Sequence, residues 1–446
     1  MLTAPAHSAD IVLPSPQRTV LPNGLTVLIL PQEKLPLVVF RMVIRAGAAA
    51  DPDGKAGLAN LTASLLKQGA GGRTAAQMAE EVEFLGGSLE AESTYDATFI
   101  TGQFLSRDME KGLSLLADIL IRPSFTDEEV ERERDQMLAT LAQSREDAEY
   151  LADIFYNRFL FGRHPYGRPD LGTDTSVAGL TRLDVVEFHR RYYAPNNAFV
   201  VVVGDVKPAE TIRLVTLLFG TWSRRAVVSR PLPHTTGLQG RRVWLVDKPD
   251  MTQSQVCIGN LGIPRNHPDF FPVVVANTVF GEGFTSRLMN EVRVNRGLTY
   301  SIGSVFPARK ERGAFLIYTS TRNETTGDLI DAVLAELKRF REDGVSETEL
   351  AAAQQYLRGQ FPLSLEGPEA LVEQIALIEL YQLPADSIRT YSQRIQAVNR
   401  ADVLRVARQY FAYESLGIVV LGNTAQVKPQ VERFGPVEAH VFDEEW

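Results

Sequence analysis

The sequence holds a single cysteine, Cys257, so no disulfide can form within the chain and cysteine usage leaves the redox compartment open. Cys257 lies in the apolar run SQVCIGN with no base signalled beside it, which reads as a buried structural thiol rather than a nucleophile. No apolar run approaches the roughly 20 residues of a membrane-spanning helix, so no membrane span is expected. Basic residues are in deficit: 46 Lys and Arg against 55 Asp and Glu leave a net charge of −9. Without a cationic surplus to displace phosphate counterions, the composition argues against a nucleic-acid partner. The opening MLTAPAHSADIVLPSP has neither a basic start nor an apolar stretch, so it does not read as an export signal. APAHSAD nevertheless resembles the small-residue end of one. That points to a mature exported form with an added Met, and to the periplasm ahead of the cytoplasm.

Motifs are missing as well. The histidines, His7, His164, His189, His234, His267 and His440, form no HxxxH or HxxEH pair. His164, in FGRHPYG, and His189, beside Arg190 on a helical run, read as structural residues. There is no P-loop, no G-x-S-x-G elbow and no dinucleotide fingerprint in context, which argues against a standalone enzyme of those chemistries.

What is present is length and repetition. A chain of 446 residues is too long for one compact core, and its 44% hydrophobic and 23% charged composition is that of an ordinary globular protein. LTRLDVVEFHRRYYAPNNAFVVVVGD (180–205) matches VNRADVLRVARQYFAYESLGIVVLGN (398–423) without a gap: Asp184 with Asp402, Tyr192 with Tyr410, Gly204 with Gly422. Each copy reads as a capped helix, a short loop and an apolar strand. Earlier, SFTDEEVERERDQMLATL (124–141) parallels GVSETELAAAQQYLRGQF (344–361), with Thr126/Glu129 and Ser346/Glu349 as capping boxes. The segments around 85–105 and 298–320 read as antiparallel hairpins. The expectation is therefore an α+β protein of two homologous domains of about 220 residues, each a mainly antiparallel sheet with helices packed on one face. The boundaries fall at 1–228 and 241–446, with a Pro/Gly-rich linker at 229–240.

One helix poses a problem. GLANLTASLLKQGAGG (57–72) places Leu58, Leu61 and Leu65 on one stripe, and Asn60 and Ser64 one turn apart on a neighbouring face, where two side chains could grip one ion. Their amide and hydroxyl oxygens are poor ligands for it.

The order NGLTVLI, ADPDGKAGLAN, GGSLEAESTYDATFI, ERERDQML, RHPYGRPDLGT, YYAPNNAFVVVVGDV resembles the M16 metallopeptidases, the family of the mitochondrial processing peptidases, over nearly the whole chain. The resemblance implies the LuxS-metallohydrolase-like fold, two domains closing as a clamshell around a cavity. Active members carry His-x-x-Glu-His on this helix, two zinc ligands and a general base, with a Glu ligand farther on. Here those positions are Asn60, Ala63, Ser64 and Thr140, and only the accessory Glu133 is retained. The resemblance thus implies no metal in this chain and no activity alone.

In the second domain, SRLMNEVRVNRGLTYSIGS (286–304) matches the family's Arg/Tyr segment at Arg293 and Tyr300. In the family these hold the substrate backbone and stabilise the oxyanion; from spacing alone they would be a solvated helix residue and a strand end. Upstream, FGEGFTSRL offers Gly281, Gly283 and Phe284 as substrate contacts, or simply a helix-start turn capped by Thr285 or Ser286. SLEAESTYDATFITG (88–102) would be an edge strand able to take an extended peptide. The implied function is the zinc-less subunit of a heterodimeric M16B peptidase acting on unstructured peptides. Zinc would sit in an HxxEH-containing paralogue, and Arg293 and Tyr300 would act in trans. The alternative is an inactive scaffold or peptide-binding protein of the same fold.

Overall fold

The computed structural model describes residues 15–228 and 231–444. The export-like stretch APAHSAD and residues 229–230 of the expected linker lie outside them. The first half forms β1 (Gln17–Val20), β2 (Thr26–Pro31), β3 (Leu37–Ile44), α1 (Leu58–Leu65), β4 (Ser88–Ser93), β5 (Thr98–Leu105), α2 (Met109–Ile121), α3 (Asp127–Ser144), α4 (Ala148–Phe161), α5 (Arg182–Tyr192), β6 (Ala198–Gly204) and α6 (Pro208–Phe219). The second half forms β7 (Arg242–Asp247), β8 (Gln253–Leu261), α7 (Phe270–Phe280), β9 (Ile302–Val305), β10 (Ala314–Arg322), α8 (Thr326–Asp343), α9 (Glu347–Gln360), α10 (Gly367–Leu380), α11 (Arg400–Tyr410), β11 (Gly417–Gly422) and β12 (Val437–Val441).

Each half builds a six-stranded sheet, ordered β1-β2-β6-β3-β5-β4 in the first and β9-β10-β8-β11-β7-β12 in the second. Pairing is antiparallel except at β2/β6, β7/β11 and β7/β12, so both sheets are mainly antiparallel. The repeated segment lands in equivalent places. Thr181 with Asp184 caps α5, Asn399 with Asp402 caps α11, and each helix leads into an internal strand. Those strands, AFVVVVG and GIVVLG, are buried along their whole length.

A strand without a polar alternation must be covered on both faces. One face of each sheet carries the layer of helices read from the sequence. The other carries one helix, and that helix comes from the opposite half of the chain. The compact units are accordingly residues up to 141 with 169–231 and 361–389, and residues 142–168 with 232–360 and 390–446. In the first unit α10 lies on β3 and β6. Leu371, Val372, Ile375 and Ala376 are at most 2% exposed, each burial contributing about 1.5–3 kcal/mol for the larger side chains. Beyond them Glu379 pairs with Arg45 at 3.2 Å and Arg18 at 3.3 Å.

In the second unit α4 lies on β8 and β11. The buried Tyr156 hydroxyl donates to the Phe315 carbonyl at 2.8 Å. Gly259 makes room for this contact: a Cβ there would stand 1.8 Å from the Phe315 oxygen and 2.5 Å from the Tyr156 hydroxyl. The sequence reading missed the exchange. Apolar patterning says that a helix is buried, but not which sheet buries it.

Candidate functional site

The helix α1 is built as its leucine stripe predicts, with Leu58, Leu61 and Leu65 at most 2% exposed. Gly57 stands at its N-cap and offers no side chain, so the orphan amides are satisfied from outside. The Asp51 carboxylate, 2% exposed, accepts from Gly57 N–H and Ala59 N–H, both at 2.9 Å. Lys55, in the same loop, forms an ion pair with Asp184 of α5. Asp51 and Lys55 are thus the positioning residues that the motif ADPDGKAGLAN concealed.

The Asn60 and Ser64 side chains both bond to backbone carbonyls. The Asn60 amide donates to the Asp170 carbonyl at 2.7 Å, and the Ser64 hydroxyl donates back to the Asn60 carbonyl at 3.1 Å. Ala63 is buried at 1% exposure. Thr140, on α3, is exposed and donates to the Gln136 carbonyl at 3.0 Å. Glu133 is buried, accepts from Gln68 at 3.0 Å and lies 3.2 Å from Arg132. Burial raises its pKa, against the lowering effect of Arg132. The zinc donor set does not fit here: an amide and a hydroxyl already committed to the backbone, a methyl group and an exposed threonine. Among the described residues no three His, Cys, Asp or Glu side chains gather to hold a metal ion.

In the second unit, α7 ends at Gly281. A Cβ on Gly281 would stand 2.1 Å from the Ser304 hydroxyl, so this glycine is required for the close pass of the loop over β9. Asn277 and Ser304 tie the loop down through bonds of 2.9 and 2.6 Å. Gly283, at φ 92°, makes the turn, and Phe284 stands 78% exposed with the Arg293 guanidinium 5.9 Å from its ring. Of the three expected contacts, two have structural tasks of their own and Phe284 is presented to solvent.

The following helix begins at Arg287 and winds as a π-helix over Met289–Asn295, with Arg296 N–H reaching the Glu291 carbonyl at 3.2 Å. Arg293 is exposed on it. The helix is held at its start by Arg287, whose Nε and Nη2 reach the two Glu349 oxygens at 2.6 and 2.9 Å while Nη2 also donates to the Gly344 carbonyl at 2.8 Å. The capping box at Ser346 and Glu349 was legible in the sequence, but its second task as the acceptor for Arg287 was not. After Gly297 the chain is pinned to β10: the Thr321 hydroxyl donates to Leu298 O at 2.6 Å and the Thr319 hydroxyl to Ser301 O at 2.7 Å. From this fixed backbone Tyr300 projects 87% exposed.

The remaining candidates are structural. His164 Nδ1 accepts from Tyr166 N–H at 3.0 Å, and burial, with Arg309 and Arg168 nearby, pushes its pKa down to about 4. His189 Nε2 lies 2.9 Å from the Leu120 carbonyl and its ring stacks on Tyr193, with burial again holding the pKa at about 4. Cys257 is buried, and burial first, then Asp153 and Glu149, push its thiol well up.

Two family models match successive parts of the chain. The family model "Insulinase (Peptidase family M16)" matches residues 27–174, and "Peptidase M16 inactive domain" matches residues 179–357. A Mycobacterium leprae protein named as an uncharacterized zinc protease is 31% identical over 415 residues, 92% of each chain. A Mycobacterium tuberculosis protein named in the same way is 32% identical over 417 residues, 92% of this chain and 93% of that one. Among solved structures, a peptidase M16 inactive domain from Pseudomonas fluorescens superposes with a TM-score of 0.86 at 25% identity, covering 95% of this chain and 99% of that chain. A protease from Helicobacter pylori shares the fold with a TM-score of 0.83 at 22% identity, over 92% and 100% of the two chains.

Proposed function

Because this chain belongs to the M16 peptidase family, we propose that it works as the zinc-less subunit of a heterodimeric peptidase, bringing Arg293 and Tyr300 to a metal site held by an HxxEH-containing partner. The observation that carries the reading is a division within one chain. Every metal and base position, Asn60, Ala63, Ser64 and Thr140, has lost its chemistry, while Arg293 and Tyr300 keep theirs and stand exposed on anchored backbone. A scaffold would have no use for a guanidinium and a phenol held out in this way.

In this reading the Arg293 guanidinium binds a carbonyl of an extended peptide, with Phe284 beside it. The Tyr300 hydroxyl donates a hydrogen bond to the oxyanion that develops at the scissile carbonyl. A donor already fixed in place stabilises that charge without reorganising, and removing one such donor costs about 10²–10³ in rate. The metal and the general base would come from the partner, and this chain would supply only the two donors. We place the pair in the periplasm, because APAHSAD resembles the small-residue end of an export signal.

The test is co-expression of this chain with an HxxEH paralogue, measuring zinc content and cleavage of an unstructured peptide for each chain and for the pair. The expected result is zinc in the partner only, cleavage by the pair only, and a drop in turnover of about 10²-fold for Tyr300→Phe with KM little changed. Full activity of the partner alone, with no effect of Tyr300→Phe, would make this chain a scaffold or peptide-binding protein. Zinc-dependent cleavage by the pure chain would refute both readings. Recovery of the chain from the cytoplasm alone would refute the placement.

A further inference from the structure

One corner of the first unit is built from three segments that contain no acidic residue: the β1–β2 turn (21–25), the end of α5 with the loop after it (189–198), and the stretch from the end of α6 (219–228). The segments are tied to one another. Asn23 Nδ2 donates to the Phe219 and Trp222 carbonyls at 2.8 and 3.2 Å. Asn196 Nδ2 donates to the Arg225 carbonyl at 2.8 Å, and Arg225 N–H donates back to Asn196 Oδ1 at 3.1 Å. Gly24, at φ 93°, passes so near that a Cβ there would stand 2.9 Å from the Asn196 Cβ. Arg225 Nη1 donates to the Arg190 carbonyl at 2.9 Å, which brings together the stretches that carry Arg190, Arg191, Arg224 and Arg225, all four exposed. In the same stretch Ala226 is exposed and Val228 is 67% exposed.

A helix C-terminus accounts for the Arg225 bond, since its last carbonyls lack intrahelical partners. The Arg190, Arg191 and Arg224 guanidiniums have neither a hydrogen-bond acceptor nor an ion pair among the described residues, and Arg191 rests over the Tyr192 ring at 5.3 Å. In a chain of net charge −9, this is a local concentration of positive charge that the fold does not use. We propose that the corner docks on an anionic phospholipid surface. Guanidinium forks match phosphate oxygens in pairs, which ammonium groups cannot do, and all four cations are arginine. The potential of such a surface fades within about one Debye length, so it acts on the nearest charges and not on the net charge of the chain. Val228 and Ala226 suit the membrane interface, where apolar and basic side chains lie side by side. A nucleic acid would use the same cations but offer Val228 little apolar contact. The proposal does not depend on Arg293 or Tyr300, which belong to the second unit.

The experiment sediments the whole chain with vesicles of phosphatidylcholine alone, or of phosphatidylcholine with roughly one third phosphatidylglycerol. Binding is expected only to the anionic vesicles. It should be lost as salt rises from about 0.1 to about 1 M and the screening length falls from about 10 to about 3 Å. Arg190→Gln/Arg191→Gln/Arg224→Gln should weaken it about a hundredfold, at about fivefold per arginine, whereas Arg190→Lys/Arg191→Lys/Arg224→Lys should keep most of it. These three side chains make no hydrogen bond among the described residues, so the variants keep the fold, and Arg225, which makes one, is left in place. Val228→Glu should weaken binding at least about fivefold with an unchanged melting temperature. An RNA duplex and polyglutamate, each added at equal charge, should fail to displace the chain from the vesicles. Displacement by the duplex would assign the arginines to nucleic acid, displacement by polyglutamate would assign them to an acidic protein segment, and either overturns the proposal. No binding to anionic vesicles, binding that survives the glutamine triple, or binding indifferent to Val228→Glu overturns it too. None of these readouts involves Tyr300, so failure here and failure of the donor reading remain distinguishable.

Discussion

Replacing Glu349 by Gln should loosen the segment that presents Arg293. The Glu349 carboxylate accepts from Arg287 Nε and Nη2 at 2.6 and 2.9 Å and from Ser346 N–H and its hydroxyl at 2.8 and 2.9 Å. Glutamine keeps the size and one acceptor oxygen, but turns an amide donor toward the guanidinium. Hydrogen bonds to charged groups contribute about 1.5–3 kcal/mol each. The Glu349 side chain is 32% exposed, however, so water screens the pair. The discounted loss for the whole cluster is about 1.5–2.5 kcal/mol at neutral pH.

The pH dependence makes the estimate specific. Burial works against the Glu349 charge, but the Arg287 and Ser346 hydrogen bonds and the Arg287 charge outweigh it and hold the carboxyl at about 2 against its usual 4.5. A carboxyl with a depressed folded pKa stabilises the fold above the unfolded value, and that stabilisation is lost as pH falls from about 4.5 toward about 2. The gap between wild type and Glu349→Gln should therefore be full at pH 7 and clearly smaller at pH 3.5. Urea unfolding followed by circular dichroism at both values gives the gap. Segment-resolved hydrogen exchange at pH 7 should locate the loss in residues 286–295, which matters in a chain of two compact units where a single global transition is not assured. A gap below about 0.5 kcal/mol at pH 7, or one undiminished at pH 3.5, would refute the assignment of Arg287 and Glu349 as the anchor.

Two further outcomes are expected. His164 and His189 have folded pKa values of about 4 against 6.5, so the unfolded chain takes up protons first on acidification. Stability is full above pH 6.5 and declines below it, and a melting temperature flat from pH 7 to 5 would contradict their buried neutral state. Gly259→Ala forces a methyl against the Phe315 carbonyl and the Tyr156 hydroxyl. It should destabilise by about 1–3 kcal/mol and open residues 148–161 to protease, and a neutral effect would mean that α4 is not seated where described.

Much of the fold was readable because its signals are local. The capping boxes read at Thr126/Glu129 and Ser346/Glu349 depend on spacing within one turn: Ser346 and Glu349 bond reciprocally, and at Thr126 the hydroxyl accepts from Glu129 N–H at 3.3 Å. The hairpins β4–β5 and β9–β10 fall in the segments read as antiparallel hairpins around 85–105 and 298–320. Gly281 shows the opposite case. As a sequence letter it suggested a substrate contact, but a hydroxyl on another strand, Ser304, is what demands it. Asp51 likewise looks like a loop residue until the helix it caps is folded over it.

The sequence by itself determined that the chain is an internal duplication and that the zinc constellation is gone. No tertiary arrangement can return a histidine or glutamate to positions 60, 63, 64 and 140, so that conclusion needed no coordinates. Only the tertiary structure decided that α4 and α10 each cover the sheet of the other half, that Arg287 finds Glu349, and that Arg225 is tied to Arg190. Helical periodicity records which face of a helix is apolar, whereas the partner of that face is set by packing between segments far apart in the chain, and single-sequence spacing carries no record of it.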